Sequence, residues 1–301
     1  MTRKIFQSPP LGDLARAAAS EKPVAKKTRT RAPATVTEIP MPPDYRVDIL
    51  ARLNNAGGKW HTQAMRSHRS PTLLWFTRGQ GRVTVAGVTR GFGPHNLVYL
   101  PTRTMYGFEP VGQVYGYAVH LPETMSPELP DEPLHMRFRE ATQQNEVTAL
   151  IEALHREIDS DQPGRDKAMA LQAGLLAVWL DRQVRQMPDY DLTPDASRRL
   201  VAAFTSLVEA EFRRDHSVGH YAAELGVTAT HLTRACNIAC GRSASALLAD
   251  RVHFEARRML RETDLPVKDI AEKLGFHSAG YFSRAFRKET GQTPRAFRQM
   301  G

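Results

Sequence analysis

Two stretches near the C-terminal end decide the fold of this chain: YAAELGVTATHLTRAC at residues 221–236 and DIAEKLGFHSAGYFSRAF at residues 269–286. Each stretch begins with a short alanine-containing helical pattern, continues through Leu-Gly and an apolar residue, and ends in a second helical pattern that contains an arginine. Gly226 and Gly275 supply the positive φ that a tight turn between helices needs. Two helix-turn-helix units are therefore predicted, in which Ala222 and Ala271 let the helices approach closely.

The stretch between the two units has the pattern of one long helix. Gly226 and Gly275 are 49 residues apart, and SALLADRVHFEARRMLRET at residues 245–263 carries apolar residues at helical spacing. A single helix there would hold both units in a fixed relation. Because the second helix of such a unit presents its N-terminal residues to a DNA major groove, these hundred residues are expected to bind DNA.

Residues 198–301 resemble the DNA-binding domain of the AraC/XylS family of bacterial transcription regulators. The run DIAEKLGFHSAGYFSRAFRKETGQTPRAFR at residues 269–298 matches the family signature almost without gaps: Ile-Ala, Gly-Phe, Tyr-Phe-Ser-Arg-x-Phe, Gly and Thr-Pro. The resemblance implies recognition helices at about residues 228–240 and 278–290. The DNA-binding residues that we predict on this basis are Thr228, Thr230, Thr233, Arg234, Ser278, Tyr281, Arg284, Arg287, Lys288 and Arg295.

The two recognition helices are expected to work differently. Arg234 can donate two parallel hydrogen bonds to a guanine, and Thr230 and Thr233 each offer a hydroxyl and a methyl group to base edges. In the second helix this chain has Ala279-Gly280, where the family often has polar side chains that reach bases. We therefore expect the second helix to act more as a phosphate clamp.

The distribution of charge agrees with a separate nucleic-acid module. Residues 1–39 carry eight Lys and Arg against three Asp and Glu, residues 40–195 carry 16 against 18, and residues 196–301 carry 17 against 11. The overall net charge of +9 thus comes from the two ends of the chain, while the middle is slightly acidic. Basic surface on one module favours a polyanionic partner, and basic surface that only keeps the chain soluble is the alternative.

Residues 45–121 show the pattern of an antiparallel β domain. Short apolar segments alternate with Gly and Pro every 8 to 12 residues, which is typical of a β sandwich or barrel. We predict strands at TLLWF (72–76), RVTVAG (82–87), NLVYLP (96–101) and VYGYAVHLP (114–122). This half resembles the cupin-like effector domain of the same family, at the level of pattern only.

Two amphipathic helices are predicted after the β domain. The first carries Val147, Leu150, Ile151, Leu154 and Ile158 at helical spacing. The second follows the Gln162-Pro163-Gly164 break and carries Met169, Leu171, Leu175, Leu176, Val178, Trp179 and Val184. Stripes of this kind are usually intramolecular core. A homodimer interface over residues 143–187 is the alternative that we keep open.

The β domain is expected to bind a small-molecule effector rather than a metal. Cupin enzymes hold their metal with a His-x-His cluster, a Glu and a further His, whereas this chain offers His68 alone in the corresponding region. A cupin enzyme fused to a DNA-binding module is therefore the less favoured function, and neither a cofactor nor catalysis is predicted. The aromatic and polar residues predicted to line the effector pocket are Trp75, Tyr99, Arg103, Tyr106, Tyr117 and His120.

The organisation predicted from the sequence is α+β. It comprises a disordered basic tail (1–39), a cupin-like β-barrel with flanking helices (40–135), a helical dimerisation and linker region (136–190) and an all-α double helix-turn-helix domain (196–301). Cys236 and Cys240 are the two cysteines of the chain, too few for a disulfide framework, which fits a reducing, cytoplasmic location. Both are expected to pack in the core, and DNA binding would make the location nucleoid-associated. The predicted partners are double-stranded DNA, the effector, RNA polymerase and a second copy of the chain. No association with a membrane is predicted.

Overall fold

The computed structural model describes residues 45–55, 60–186, 196–214 and 217–299. The predicted basic tail (1–39) and residues 187–195 lie outside these ranges, and the domain limits given above remain predictions. No helix in the described ranges is both long enough and apolar enough to cross a bilayer.

The N-terminal half is built on one six-stranded antiparallel sheet. Its strands are β1 (Arg46–Ile49), β2 (Thr72–Val85), β3 (Val88–Phe92), β4 (Asn96–Leu100), β5 (Tyr106–His120) and β6 (Leu134–Arg137). They pair in the order β1-β5-β2-β4-β6, and β3 pairs with the second half of β2. Two short helices, α1 (Leu50–Asn55) and α2 (Trp60–Gln63), follow β1, and a 3-10 helix (Glu123–Glu128) follows β5.

Two strand predictions need correction. Residues 72–76 and 82–85 of two predicted strands belong to the single strand β2, which shifts its register against β5 between Phe76 and Gln80 without ending. Gly79, at φ 92°, takes up this irregularity, so the glycine marks a bulge where the sequence pattern suggested a turn. Strand β5 begins at Tyr106, eight residues before its predicted start. Its first half was not predicted because Gly107, Pro110 and Gly112 interrupt the strand pattern in the sequence.

The turn between β2 and β3 lies against the helical half of the chain. Its two residues, Ala86 and Gly87, have φ values of 47° and 72°, as in a type I′ hairpin turn. A Cβ added to Gly87 would lie 2.2 Å from Cγ1 of Val201. Only glycine permits this approach, so the hairpin packs directly onto the first helix of the C-terminal half.

The predicted helical pair forms, and one of its apolar stripes is solvent-exposed. Helix α3 (Ala141–Ile158) and helix α4 (Arg165–Gln186) pack on each other and on one face of the sheet. Val147, Ile151 and Leu154 of the first are fully buried. In α4, Met169, Leu176 and Trp179 are buried as predicted, whereas Leu171, Leu175 and Val178 are 62%, 54% and 48% exposed.

The C-terminal half contains seven helices in the described residues: α5 (Ala196–Glu211), α6 (Val218–Glu224), α7 (Ala229–Cys240), α8 (Ala244–Glu262), α9 (Val267–Lys273), α10 (Ala279–Thr290) and α11 (Pro294–Gln299). Helices α6–α7 and α9–α10 form the two predicted helix-turn-helix units, with φ of 66° at Gly226 and 80° at Gly275. Helix α8 connects them. The α+β prediction with an all-α C-terminal half is thereby confirmed.

The β-rich half and the helical half share part of one core. Met65 and Met105, from the loops around the sheet, are buried in the cluster that also holds Val201 and Phe204 of α5. The backbone N–H of Met65 donates to Asp250 of α8 at 3.3 Å, and Arg251 donates to Ser67 at 3.4 Å. Nearby residues of one loop thus contact the helix that connects the two helix-turn-helix units.

Candidate functional site

The two recognition helices begin and end where the sequence places them. Thr228 caps α7 by accepting from the backbone N–H of His231 at 3.1 Å, and Ser278 caps α10 by accepting from Tyr281 at the same distance. Each hydroxyl takes up one of the free N–H groups of a helix start. Gly241 and Gly291 end the helices in the left-handed region, at φ 70° and 75°.

The inward face of each recognition helix packs in the core of the helical half. Phe282 and Phe286 of α10 are fully buried, and Cys236 takes the corresponding place in α7. Burial raises the pKa of the Cys236 thiol to about 12, so this cysteine is an apolar core residue and not a ready thiolate. Cys240 donates its thiol to the backbone carbonyl of Cys236 at 3.2 Å. Tyr221 and Phe254 are also buried.

The outward faces carry cations without partners. Arg234 on α7 and Arg284, Arg287 and Lys288 on α10 are exposed, and Arg295 on α11 is exposed beside them. None of the five makes a hydrogen bond or an ion pair with another residue in the described ranges. These are the five charged residues that the sequence predicts at the DNA. Thr230 is exposed on the same face of α7, and Thr233 and Tyr281 are half-buried.

Several other arginines of the helical half have structural roles, which the charge count alone could not reveal. Arg251 is buried between Glu209, at 2.7 Å, and Glu255, at 3.2 Å. Arg298 donates to the backbone carbonyls of Leu260 and Leu265 at 3.2 and 2.6 Å. The excess of 17 basic over 11 acidic residues in this half predicted a polyanion site. In the structure, Arg251 and Arg298 are bonded within the domain, whereas the arginines on the outward faces are exposed and unpaired in the described ranges.

The six predicted effector residues are not brought together. Side chains alternate between the two faces of a strand, and Trp75, Tyr99 and Tyr117 face helices α3 and α4. There the Trp75 ring N–H donates to Thr148 at 3.0 Å, and the Tyr117 hydroxyl donates to Glu152 at 3.0 Å.

Tyr106 and His120 lie on the opposite face of the sheet. Arg103 is 65% exposed in the loop before β5, where its nearest carboxylate, Glu123, is 3.9 Å away. The set of six predicted from composition is thus divided between two faces of the sheet and a surface loop.

Tyr106 and His120 belong to a polar cluster that includes His68. His68 Nε2 and the Tyr106 hydroxyl are 3.0 Å apart, and the rings of His68 and His120 meet edge to face with centroids separated by 4.8 Å. His120 Nδ1 lies 3.0 Å from Thr72 Oγ1, and its Nε2 lies 3.5 Å from Asp48. Burial and the neighbouring charges of His120 and Arg66 hold the pKa of His68 well below its ordinary value, so this histidine is neutral at physiological pH.

Sequence reasoning missed Arg66, which joins this cluster to the helical half. Its guanidinium lies 4.6 Å from the centre of the Tyr106 ring and 6.0 Å from that of Phe254 on α8. Its backbone exchanges two hydrogen bonds with Tyr106, at 2.9 and 2.7 Å. An arginine before a run of Ser, His and Pro gives no sequence signal of such a position, because the contact depends on chain segments far apart in sequence.

One cavity of about 410 Å³ lies where the two halves meet, and none of the predicted effector residues lines it. Its polar walls contain Arg82 and Glu109 from the sheet and Arg242, Asp250 and Arg257 from the helical half. Arg82 and Glu109 pair at 2.7 Å, and Arg242 pairs with Asp250. No group of three or more His, Cys, Asp or Glu side chains within the described ranges is arranged to hold a metal ion.

Comparison with known proteins agrees with this architecture. A model of the AraC-like ligand binding domain matches residues 53–178, and a model of a helix-turn-helix domain matches residues 221–300. Together the two ranges cover more than half of the chain. The chain belongs to the AraC/XylS family of transcription regulators.

Individual relatives are similar over shorter stretches. The transcriptional activator RhaR of Cronobacter sakazakii is 31% identical over 101 residues, which span 34% of this chain and only about a third (34%) of that protein. RhaR of Shigella dysenteriae is 22% identical over 205 residues, 68% of each chain. Among solved structures, ToxT from Vibrio cholerae O395 is 11% identical, with a TM-score of 0.42 over 85% of this chain and 98% of that one.

Proposed function

We propose that this chain is a sequence-specific DNA-binding transcription regulator, not an enzyme, whose activity responds to a small molecule bound by its β domain. The observation that carries the proposal is the repetition of one surface. Arg234 and Arg284 stand at the same position, six residues after the capping Thr228 and Ser278, and both are exposed and unpaired within the described part of the chain. Each capped helix thus presents one unpaired arginine, and α8 joins the two helices. This arrangement suits binding to two stretches of DNA major groove.

The exposed side chains support a division of labour between the helices. The outward face of α7 presents one cation, Arg234, among hydroxyl groups, which suits base edges. The outward face of α10 presents Arg284, Arg287 and Lys288, and Arg295 of α11 adds a fourth cation. Cations clustered in this way suit phosphate oxygens, which fix the register of a protein on DNA without reading its sequence.

Substituting one residue from each helix tests this division. Arg234→Ala is expected to weaken binding to the preferred site by about 1 to 3 kcal/mol and to relax the preference at one or two base pairs. Lys288→Ala is expected to weaken preferred and random DNA alike and to reduce the slope of log affinity against log salt by about one. Fluorescence anisotropy of full-length protein at several salt concentrations measures both. Equal losses on preferred and random DNA for both variants would refute the division.

The effector is proposed to act through the polar cluster of His68, Tyr106 and His120. These side chains combine hydrogen-bonding groups with aromatic walls, as small-molecule sites do. Through Arg66 the cluster is also in contact with Phe254 of α8, the helix that connects the two helix-turn-helix units. A protein of this function works with RNA polymerase at the chromosome, and we extend the proposal to a location in the bacterial cytoplasm.

A homodimer formed through helix α4 completes the proposal. Leu171, Leu175 and Val178 follow one another at intervals of four and three residues, so they form one exposed apolar stripe on the outer face of α4. Gly174 beside them has nothing within 4 Å of an added Cβ, which leaves room for a second backbone. A second copy of this chain supplies the same stripe, and a two-fold axis lets each stripe cover the other.

Introducing a charge into this stripe is expected to abolish the dimer. Leu175→Asp places a carboxylate where two apolar surfaces would meet, and its unpaired burial opposes association. Light scattering after size-exclusion chromatography should show the dimer mass for the unmodified chain and the monomer mass for Leu175→Asp. Val111→Asp is the matched control, since Val111 is 65% exposed on β5, away from α4, and should leave the dimer intact. A dimer that survives Leu175→Asp would exclude this interface.

A further inference from the structure

Helix α7 carries one more side chain on the face proposed to meet DNA. Thr230, Thr233, Arg234 and Asn237 occur at i, i+3, i+4 and i+7, so they lie in one stripe along the helix. The recognition helix of homeodomains contacts DNA bases with residues at this same spacing. Asn237 is thus the fourth residue of a stripe whose other three members are predicted from the sequence to bind DNA.

The Asn237 side chain is free to bind a partner outside the chain. It is exposed, and its amide makes no hydrogen bond with any described residue. Its backbone carbonyl, in contrast, accepts from Gly241 at 2.9 Å, which keeps the helix regular through this turn. The backbone of Asn237 is therefore fixed within the helix, while both the donor and the acceptor of its side-chain amide are available to a base.

The second helix-turn-helix unit provides an internal comparison. Counted from the capping residues Thr228 and Ser278, the position of Asn237 corresponds to Arg287, and that of Ile238 corresponds to Lys288. The second unit thus has two cations where the first has a neutral amide and an apolar residue that is 65% exposed. A cation there suits phosphate, whereas an amide carries a donor and an acceptor side by side, which match N7 and the N6 amino group of adenine.

We propose that Asn237 reads an adenine in the major groove and is a specificity-determining residue of the first helix-turn-helix unit. The inference rests on the proposed DNA-binding function and specifies one base of the DNA site. Residues 234 and 237 are about 4.5 Å apart along the helix axis. Since base pairs are spaced by about 3.4 Å, the adenine lies one or two base pairs from the base that Arg234 contacts.

Selection of binding sites from a randomised DNA library tests the proposal with full-length protein. The unmodified chain should enrich sites with an adenine at one fixed position, and Asn237→Ala should lose that preference by about 5- to 150-fold while its affinity for random DNA stays unchanged. Asn237→Gln should keep the preference, because the glutamine amide also pairs with adenine. A purely structural role for Asn237 would not produce this difference between Ala and Gln at a single base pair.

Two further variants complete the test. Arg287→Ala, at the matched position of the second unit, should weaken all sequences alike. Asn237→Lys should abolish the adenine preference and raise affinity for random DNA, with a steeper salt dependence. If Asn237→Ala selects the same sites as the unmodified chain, the inference is wrong while the DNA-binding function stands. If the unmodified chain enriches no sequence at all, the proposed function fails together with the inference.

Discussion

Replacing Glu255 with glutamine is expected to lower the free energy of unfolding by about 3 to 5 kcal/mol, the usual cost of removing one charge from a buried ionic group. The Glu255 side chain on α8 is 3% exposed and accepts from Arg213 at 3.0 Å and from Arg258 at 2.8 Å. It also accepts from Arg251, whose guanidinium is itself 4% exposed. Glutamine keeps the shape but leaves the buried Arg251 with Glu209 as its remaining charged partner.

The same substitution changes the dependence of stability on pH. Burial alone would raise the pKa of Glu255, but the charge of Arg251, followed by the hydrogen bond and charge of Arg258 and the charge of Arg213, outweighs burial and lowers this pKa below its ordinary value of 4.5. A carboxyl with a lowered pKa stabilises the folded state above the unfolded-state pKa, and this contribution is lost progressively as the pH falls below about 4.5. Glu255→Gln should lack this component.

Urea unfolding of the full chain, followed by circular dichroism at pH 7 and at pH 4, measures both effects. Glu262→Gln is the matched control on the same helix. Glu262 is 51% exposed and pairs with Arg258 at 2.8 Å, so its loss should cost less than about 1 kcal/mol. Equal destabilisation by the two substitutions would show that the buried group contributes no more than a surface ion pair.

Phe286→Ala is expected to destabilise the second helix-turn-helix unit by about 3 to 5 kcal/mol. Phe286 is fully buried on the inner face of α10, where its ring centre lies 5.7 Å from that of Phe282 and 5.5 Å from that of Phe297. Alanine leaves a cavity among these rings, and the outward face of α10 loses its support. Binding to the preferred DNA site should weaken along with stability.

The corresponding position of the first unit supplies the control for this substitution. Cys236, eight residues after its capping Thr228 as Phe286 is after Ser278, is also fully buried. Because Cys236→Ala removes only one heavy atom, its cost should be about 1 kcal/mol. Thermal and urea unfolding of both variants give the comparison. A Phe286→Ala protein as stable as Cys236→Ala would indicate that the aromatic cluster relaxes into the cavity.

The two recognition helices could be predicted from sequence with nearly the bounds that the structure has, and the physical reason is local. A capping hydroxyl at Thr228 and Ser278 and a glycine at Gly241 and Gly291 mark helix ends by bonds to neighbouring residues. The strands were predicted less well, because a glycine inside a strand such as Gly79 has the same sequence signature as a turn.

The positions of the six predicted effector residues relative to one another could not be derived from the sequence. These positions depend on the face of the sheet from which each side chain projects. The pairing of strands that are distant in sequence, such as Thr72 of β2 with His120 of β5, determines that face. The exposure of the apolar stripe on α4 also depends on contacts between segments that are distant in sequence. Helical spacing shows that Leu171 and Leu175 share a face with Val178, but only the packing of α4 on the sheet shows that this face points outward.

The methionines that the β-rich half contributes to the helical half bear on how such regulators are engineered. Met65 and Met105 are 0% and 2% exposed inside the core of the helical half. A chimaera that grafts this helical half onto another β domain would lose both side chains and leave apolar surface of α5 uncovered. A graft of this helical half therefore has to replace the apolar surface that Met65 and Met105 contribute.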